Sequence, residues 1–404
     1  MPGKLIQYFN CRILWKHKLI REDLWVRDGK IQNPRKLFFD ECVMPDQRID
    51  CGNHILAPGY IDLQLNGAFE FDFSSNLTGI EEGLKKVSYG LLQYGVTSYC
   101  PTIVTSPASV YKQILPKIKR KNGSLAGAGI LGLHLEGPFI SIEKRGAHPP
   151  DHIIGLNGFN TVLETYGSLD NVAIVTIAPE VDHAGEVIKK LREREIVVSL
   201  GHSTANLQQS EKAVCEGATL ITHLFNAMLP FHHRDPGIVG LLTSSEIPDN
   251  QQIFYGMIAD GIHTNPAALR IAHRAHPKGL ILVTDAISAM GLSPGVRKLG
   301  QQLIRIHDHA AYLDGTNTLA GSIATMPHCV RHFHEATGCS IEEALEAATL
   351  HPAQCLGIEK QKGTLDYDSD ADFILLDDEL YVLATFIAGD CAYDPYSIAP
   401  TNCC

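Results

Sequence analysis

Eight apolar, β-rich runs are spaced through residues 57–288, and amphipathic helical patterns separate them. The runs are APGYIDLQLNG (57–67), VTSYCPTIV (96–104), AGILGLHLEGPF (128–139), VAIVTIAPE (172–180), EIVVSLGHS (195–203), TLITHLFNAM (219–228), IFYGMIADGIH (253–263) and GLILVTDAIS (279–288). Stretches such as EEGLKKVSYGLLQYG, HAGEVIKKLRERE, NLQQSEKAVCEG and NPAALRIAHRAH lie between them. Strands that are apolar throughout must be covered on both faces, and intervening helices provide that cover for a parallel sheet. Eight βα units in roughly 250 residues suit a closed (β/α)8 barrel. The fold class expected is therefore α/β.

The flanks read differently. LIQYFNCRILW and LIREDLWV near the start, then KGTLDYDSDADFILLDD and YVLATFIAG near the end, are short strand candidates with turn residues between them. Each flank is too small to hold a core alone, so the two are expected to combine into one small β-sandwich beside the barrel. That gives a discontinuous unit of residues 1–56 and 358–404 and a barrel of residues 57–357. After the eighth run, further loop and helices are expected. They include SIEEALEAATLHPAQCLG, read as a helix with a Ser cap and Glu in its first turn.

Composition narrows the partners. The 404 residues are 45% hydrophobic and carry a formal net charge of -11, with no basic runs. Such a chain is poorly suited to nucleic acid or an anionic membrane. No apolar run is long enough to span a bilayer, and MPGKLIQYFNCRIL has no signal-peptide pattern. The 11 cysteines are scattered without a CxxC pair, as expected of reduced thiols in a cytoplasmic protein. Cys403 and Cys404 end the chain without a CaaX box and read as a polar tail.

Active sites of (β/α)8 barrels form where the strands end. Read in order, those ends carry Gln64 and Asn66, then His134 and Glu136, then His202, His223, Asp260 with His263, and Asp285. Acids and histidines recurring at one end of several strands are a stronger signal than any one of them. Glu136, His202 and His223 make a His2Glu set, a three-ligand zinc pattern with a fourth position left for water. His134 is then assigned a supporting role behind the completed set. Asp285 follows the apolar run GLILVT and should stand at the mouth near the metal. A carboxylate there can take a proton from water and return it to a leaving group. Two loops add a substrate handle: EKRGAHPPDH offers Lys144, Arg145 and His148, and NAMLPFHHRDPG offers Asn226, Ala227 and Arg234. Basic residues clustered in an acidic chain suit an anionic group, arginine through bidentate hydrogen bonds. From composition alone, Arg234 is balanced evenly between that role and a solvated loop charge.

The motifs HLEGPF, RGAHPP, SLGHS, THLFNAM, ADGIHT, VTDAI and LAGS occur in this order. With them the chain closely resembles the N-acetylglucosamine-6-phosphate deacetylases of the amidohydrolase superfamily, over all but about the last dozen residues. The resemblance implies a metal-dependent barrel of the amidohydrolase type with a small β-sandwich. It implies one divalent metal, usually zinc, on Glu136, His202 and His223, with Asp285 as proton acceptor and donor. It implies that His148 polarises the acetyl carbonyl and that Asn226 and Ala227 meet the sugar. Ala147, Asp260, Gly261, Ile262, His263 and Leu319, Ala320 and Gly321 are expected along the substrate pocket. Arg234 is expected near the phosphate of a phosphosugar, reaching in from the second subunit of a homodimer. Another amidohydrolase acting on a different amide, or an inactive barrel scaffold, would share the fold; the second should lack a ligand or the acid/base residue, and none is missing.

One departure is informative. Many amidohydrolases end the first strand with His-x-His to hold a second metal, whereas this chain has Gln64-x-Asn66. Neutral amides are poor zinc ligands beside imidazole and carboxylate. The expectation is a single tightly held metal, with Gln64 bonded to its water or standing behind the ligands and Asn66 lining the pocket.

Overall fold

The computed structural model describes residues 3–395, apart from 249, 300, 301 and 308; Cys403 and Cys404 lie outside the described residues. Eight parallel strands form the barrel: β1 (Tyr60–Leu65), β2 (Val96–Val104), β3 (Leu133–Glu136), β4 (Val172–Ile177), β5 (Val197–Leu200), β6 (Leu220–Ile221), β7 (Phe254–Met257) and β8 (Leu280–Leu282). Each falls inside one of the eight apolar runs. They pair in chain order from β1 to β8. A parallel bridge between Leu65 and Ala286 joins the last strand to the first. There the Asp285 N–H donates to the Gln64 carbonyl at 2.9 Å.

The first run divides at Gly59. Ile55–Pro58 belongs to an outer sheet, and β1 starts after the glycine. A Cβ at Gly59 would lie 2.2 Å from Thr97 side-chain atoms, so the break sits where only glycine fits against β2. Helices cover the barrel by their apolar stripes. α1 (Ala184–Arg192) shows the pattern, burying Ala184, Val187, Ile188 and Leu191 at helical spacing. Inside the barrel's lower half, Ile61, Cys100, Ala173, Val197, Leu220, Phe254 and Ile281 pack with Ala353 and Cys355 into one apolar plug.

Both chain ends build the β-sandwich. One sheet of six runs Asp390–Tyr393, Val382–Ile387, Phe373–Leu376, Ile55–Pro58, Arg12–Trp15 and Lys18–Ile20. The other joins Lys30–Ile31, Leu24–Arg27, Ile6–Phe9 and Gln47–Asp50. Tyr8 from the second meets Phe373 and Phe386 of the first edge-on, at 5.0 and 5.4 Å between ring centres.

Two further features differ from the sequence reading. Residues beyond β8 are not only loop and helix: four antiparallel strands, Gly295–Leu299, Gln302–His307, Ala310–Leu313 and Leu319–Gly321, form an added sheet. Its buried Ile304 and Ile306 pack with Ala289 and Ala311. The alternation of LIRIH and the Asp314-Gly315 turn carried that signal. The helix expected over SIEEALEAATLHPAQCLG is two, α2 (Ile341–Glu346) and α3 (Leu350–Leu356). Ser340 and Glu343 do form a capping box. Pro352 lacks the N–H that a continuous helix would donate to residue 348, so the chain restarts its helix just before it.

Candidate metal and active site

Three strand ends converge on one point. The Nε2 atoms of His202 and His223 lie 3.1 and 3.0 Å from Glu136 Oε1, and 3.0 Å from each other. All three side chains are buried. The Nδ1 of His202 is 2.9 Å from the Lys144 carbonyl, which can only accept, so Nδ1 carries the proton and a neutral ring leaves Nε2 bare. A carboxylate and bare ring nitrogens at such distances repel unless a cation or a proton lies among them. The donor set, one carboxylate and two imidazoles, is that of a divalent transition metal, and the triangle fits one. In the protein alone burial works against charge at His223, but Glu136 outweighs it and pushes the imidazole up to about 9. Burial likewise works against ionisation at Glu136, yet His202 and His223 together hold it well below the carboxylate range. His148 also comes close, its ligand atom within 4.8 Å of those of Glu136 and His202. Its Nε2 is 3.9 Å from Glu136 Oε2, farther out than His223.

The backbone aims these groups. His202, His223 and Asp285 take φ values of 49°, 26° and 47°, the left-handed region that non-glycine residues seldom enter. Each lies two or three residues past the end of its strand, where the chain leaves the barrel. The surrounding bonds hold such strain in place, as it is held where function requires it.

Gln64 and Asn66 both face Asp285. Gln64 Nε2 donates to Asp285 Oδ1 at 3.1 Å and to Glu136 Oε1 at 2.9 Å. Asn66 Nδ2 donates to Asp285 Oδ1 at 2.7 Å and to its carbonyl at 3.3 Å. Burial, then the nearby Glu136, raises the Asp285 carboxyl to about 6, while the Asn66 bond lowers it. The amides thus supply N–H groups to a carboxylate. Behind them Asp62, fully buried, accepts from Thr284 Oγ1 at 2.6 Å and from the Gln64 and Thr284 N–H groups at 3.2 and 3.3 Å. Sequence reading passed over Asp62, which sits inside an apolar run.

His134 is tied into the barrel interior, with Nδ1 3.0 Å from the Leu63 carbonyl and Nε2 2.8 Å from Thr176 Oγ1. His148 is buried against Thr105, a residue the sequence reading did not single out. Asp260 accepts from the Ile262 and His263 N–H groups at 2.9 and 2.8 Å and faces His263 Nδ1 at 2.6 Å. Gly261 follows it in the left-handed region. The Asn226 N–H donates to the His223 carbonyl at 2.9 Å, and the Ala227 carbonyl accepts from Ser203 N–H at 3.1 Å, so the loop after β6 starts at the cluster. Ala147 adjoins His148 and is exposed; Arg234 is exposed farther along the β6 loop. Leu319–Gly321 closes the added sheet, and the following Ser322 accepts from Ile287 N–H at 2.9 Å, which sets this strand beside the chain leaving Asp285. A wider cleft of about 920 Å³, lined by Arg120, Arg192, Val197 and Phe254, opens at the strands' starts, away from these groups. Convergent chemistry, not cleft size, marks the site.

Residues 55–398 match the amidohydrolase family. The chain belongs to that family. Relatives similar along nearly the whole chain include N-acetylglucosamine-6-phosphate deacetylases. Those of Homo sapiens and Bos taurus are each 61% identical, the first over 96% of this chain and 95% of its own length, the second over 98% and 97%. Solved structures agree. The Thermotoga maritima N-acetylglucosamine-6-phosphate deacetylase superposes with a TM-score of 0.79 at 28% identity, covering 96% of this chain and 99% of that one. A mutant of the Mycobacterium smegmatis deacetylase in complex with N-acetyl-D-glucosamine-6-phosphate superposes equally well, over 97% and 100%.

Proposed function

We infer that the chain hydrolyses the acetamide of N-acetyl-D-glucosamine 6-phosphate to D-glucosamine 6-phosphate and acetate, in amino-sugar metabolism. The observation that carries this is the Glu136–His202–His223 triangle beside an amide-held Asp285. Curated deacetylases aligned along nearly the whole chain support the substrate. We assign the metal to Glu136, His202 and His223, as one Zn2+ per subunit. When bound, such an ion supplies Lewis acidity that brings the pKa of water toward neutrality and polarises a carbonyl. Asp285 accepts a proton from the attacking water, and Gln64 and Asn66 hold its Oδ1 in place for that task. His148 donates a hydrogen bond to the carbonyl oxygen as charge grows there. Asp285 then delivers its proton to the departing amine. The stretches Ala147–His148, Asn226–Ala227, Asp260–His263 and Leu319–Gly321 shape the sugar pocket.

We further propose a homodimer in which Arg234 contacts the phosphate in the partner's site. Support comes from its exposure and from an apolar cleft of about 710 Å³ beside its loop, where Phe231 and Ile271 are left exposed. We propose two units in each subunit, the sandwich and the barrel; the 56/57 boundary read from the sequence shifts to Gly59, because Ile55–Pro58 pairs within the outer sheet. No helix among the described residues is long and apolar enough to cross a membrane. The free thiols among them fit a cytoplasmic setting. Acetate release is the test: turnover of N-acetylglucosamine 6-phosphate far above that of the unphosphorylated sugar is expected. Equal turnover of the two would instead favour an amidohydrolase of other specificity.

A further inference from the structure

Thr105 follows β2, a strand that supplies none of the metal-site residues named above. Its side chain is buried and meets His148 twice. The Thr105 backbone N–H donates to His148 Nδ1 at 3.3 Å, and Thr105 Oγ1 lies 2.8 Å from the same nitrogen. A backbone N–H can only donate, so Nδ1 is an acceptor and carries no proton. An imidazole that accepts at Nδ1 is neutral and bears its proton on Nε2. That Nε2 is 3.9 Å from Glu136 Oε2, beyond hydrogen-bond reach, so its proton is left for another acceptor.

We propose that Thr105 is a positioning residue that fixes His148 as the Nε2–H tautomer, making it a hydrogen-bond donor to the substrate carbonyl oxygen and not a metal ligand. The contrast with His202 carries the argument. There a carbonyl takes the Nδ1 proton and leaves Nε2 bare for a metal; at His148 an N–H occupies Nδ1 and leaves Nε2 protonated. Two histidines whose rings lie 4.4 Å apart are thus set to opposite tasks by what each Nδ1 touches. Gly137 belongs to the same device. A Cβ there would lie 2.2 Å from Thr105 Oγ1 and 3.6 Å from His148 Nδ1, so the bare backbone makes room for the pair.

The proposal rests on the deacetylase reading, and its test separates the two. In metal-loaded protein labelled with 15N-histidine, the His148 resonances, assigned by their loss in His148→Gln, should show a protonated Nε2 and an unprotonated Nδ1; this needs no turnover. A protonated Nδ1 overturns the assignment. In kinetics, His148→Gln keeps an N–H at the Nε2 position and should retain roughly tenfold more kcat than His148→Asn. Thr105→Val keeps the backbone N–H but loses the Oγ1 contact that holds the ring in place, so it should lower kcat by about tenfold with KM within twofold and metal content unchanged, and Thr105→Ser should restore it. An Asn variant as active as the Gln variant, or an unchanged kcat in Thr105→Val, overturns the proposal. If instead no form of the enzyme releases acetate, the function reading fails while the tautomer result stands.

Discussion

The two ends of the barrel are built by opposite rules. At the floor, each of seven strands contributes an ordinary buried apolar residue, Ile61 through Ile281, and Ala353 and Cys355 close the plug. At the mouth, three of these strands overrun into the left-handed residues His202, His223 and Asp285, and the two histidines meet Glu136 of β3 with ligand atoms 3.0–3.1 Å apart. The floor lowers the energy of the fold. The mouth raises it, and stays in place because strain there is held by many bonds. Stability and chemistry are thus separable along one axis, and variants at the two ends should not trade effects.

The sharpest break in that comparison would come from Asp285. Asp285→Asn should lower kcat by about a thousandfold or more, with metal content and unfolding midpoint near those of the unaltered protein. Steady-state kinetics beside elemental analysis would check this. The converse lies at the floor. Ile281→Ala should cost about 2–5 kcal/mol in chemical denaturation while kcat per folded subunit is kept. Between the ends sits Asp62, raised to about 7 by burial against the bonds it accepts from Thr284 and Gln64. Its folded pKa lies above its unfolded value of about 3.9, so its contribution to stability is fully present below that value and is lost as pH rises through 7. Relative to Asp62→Asn, the protein should lose up to about 4 kcal/mol between pH 4 and 7 and no more above it, read by denaturation at a series of pH values. The smallest effect belongs to the rim. Arg234→Ala should raise KM about tenfold with little change in kcat, and an unaltered KM would remove Arg234 from phosphate binding.

Much of this was legible in the chain itself. Apolar runs separated by amphipathic helices specify a covered parallel sheet, and the polar residues where those runs end fall at the mouth. What escaped has physical causes. Thr105 is uncharged, follows an apolar run, and acts through a histidine 43 residues away. Asp62 is embedded in a run that otherwise reads as core. The added sheet of 295–321 was hidden by the expectation of helices beyond β8, although its period-two pattern was visible. Resemblance alone pointed to Leu319–Gly321, since nothing in Leu-Ala-Gly marks a pocket. Gln64 and Asn66 were read as the absence of a second metal site; their hydrogen bonds add that they serve Asp285.

Metal content per subunit tests most directly whether the mouth is a one-metal site whose amides serve a carboxylate. Elemental analysis of the protein, of Gln64→Ala with Asn66→Ala, and of His202→Ala should give one divalent ion, one, and close to none. Two ions at full occupancy, with one lost when the amides are removed, would contradict the account.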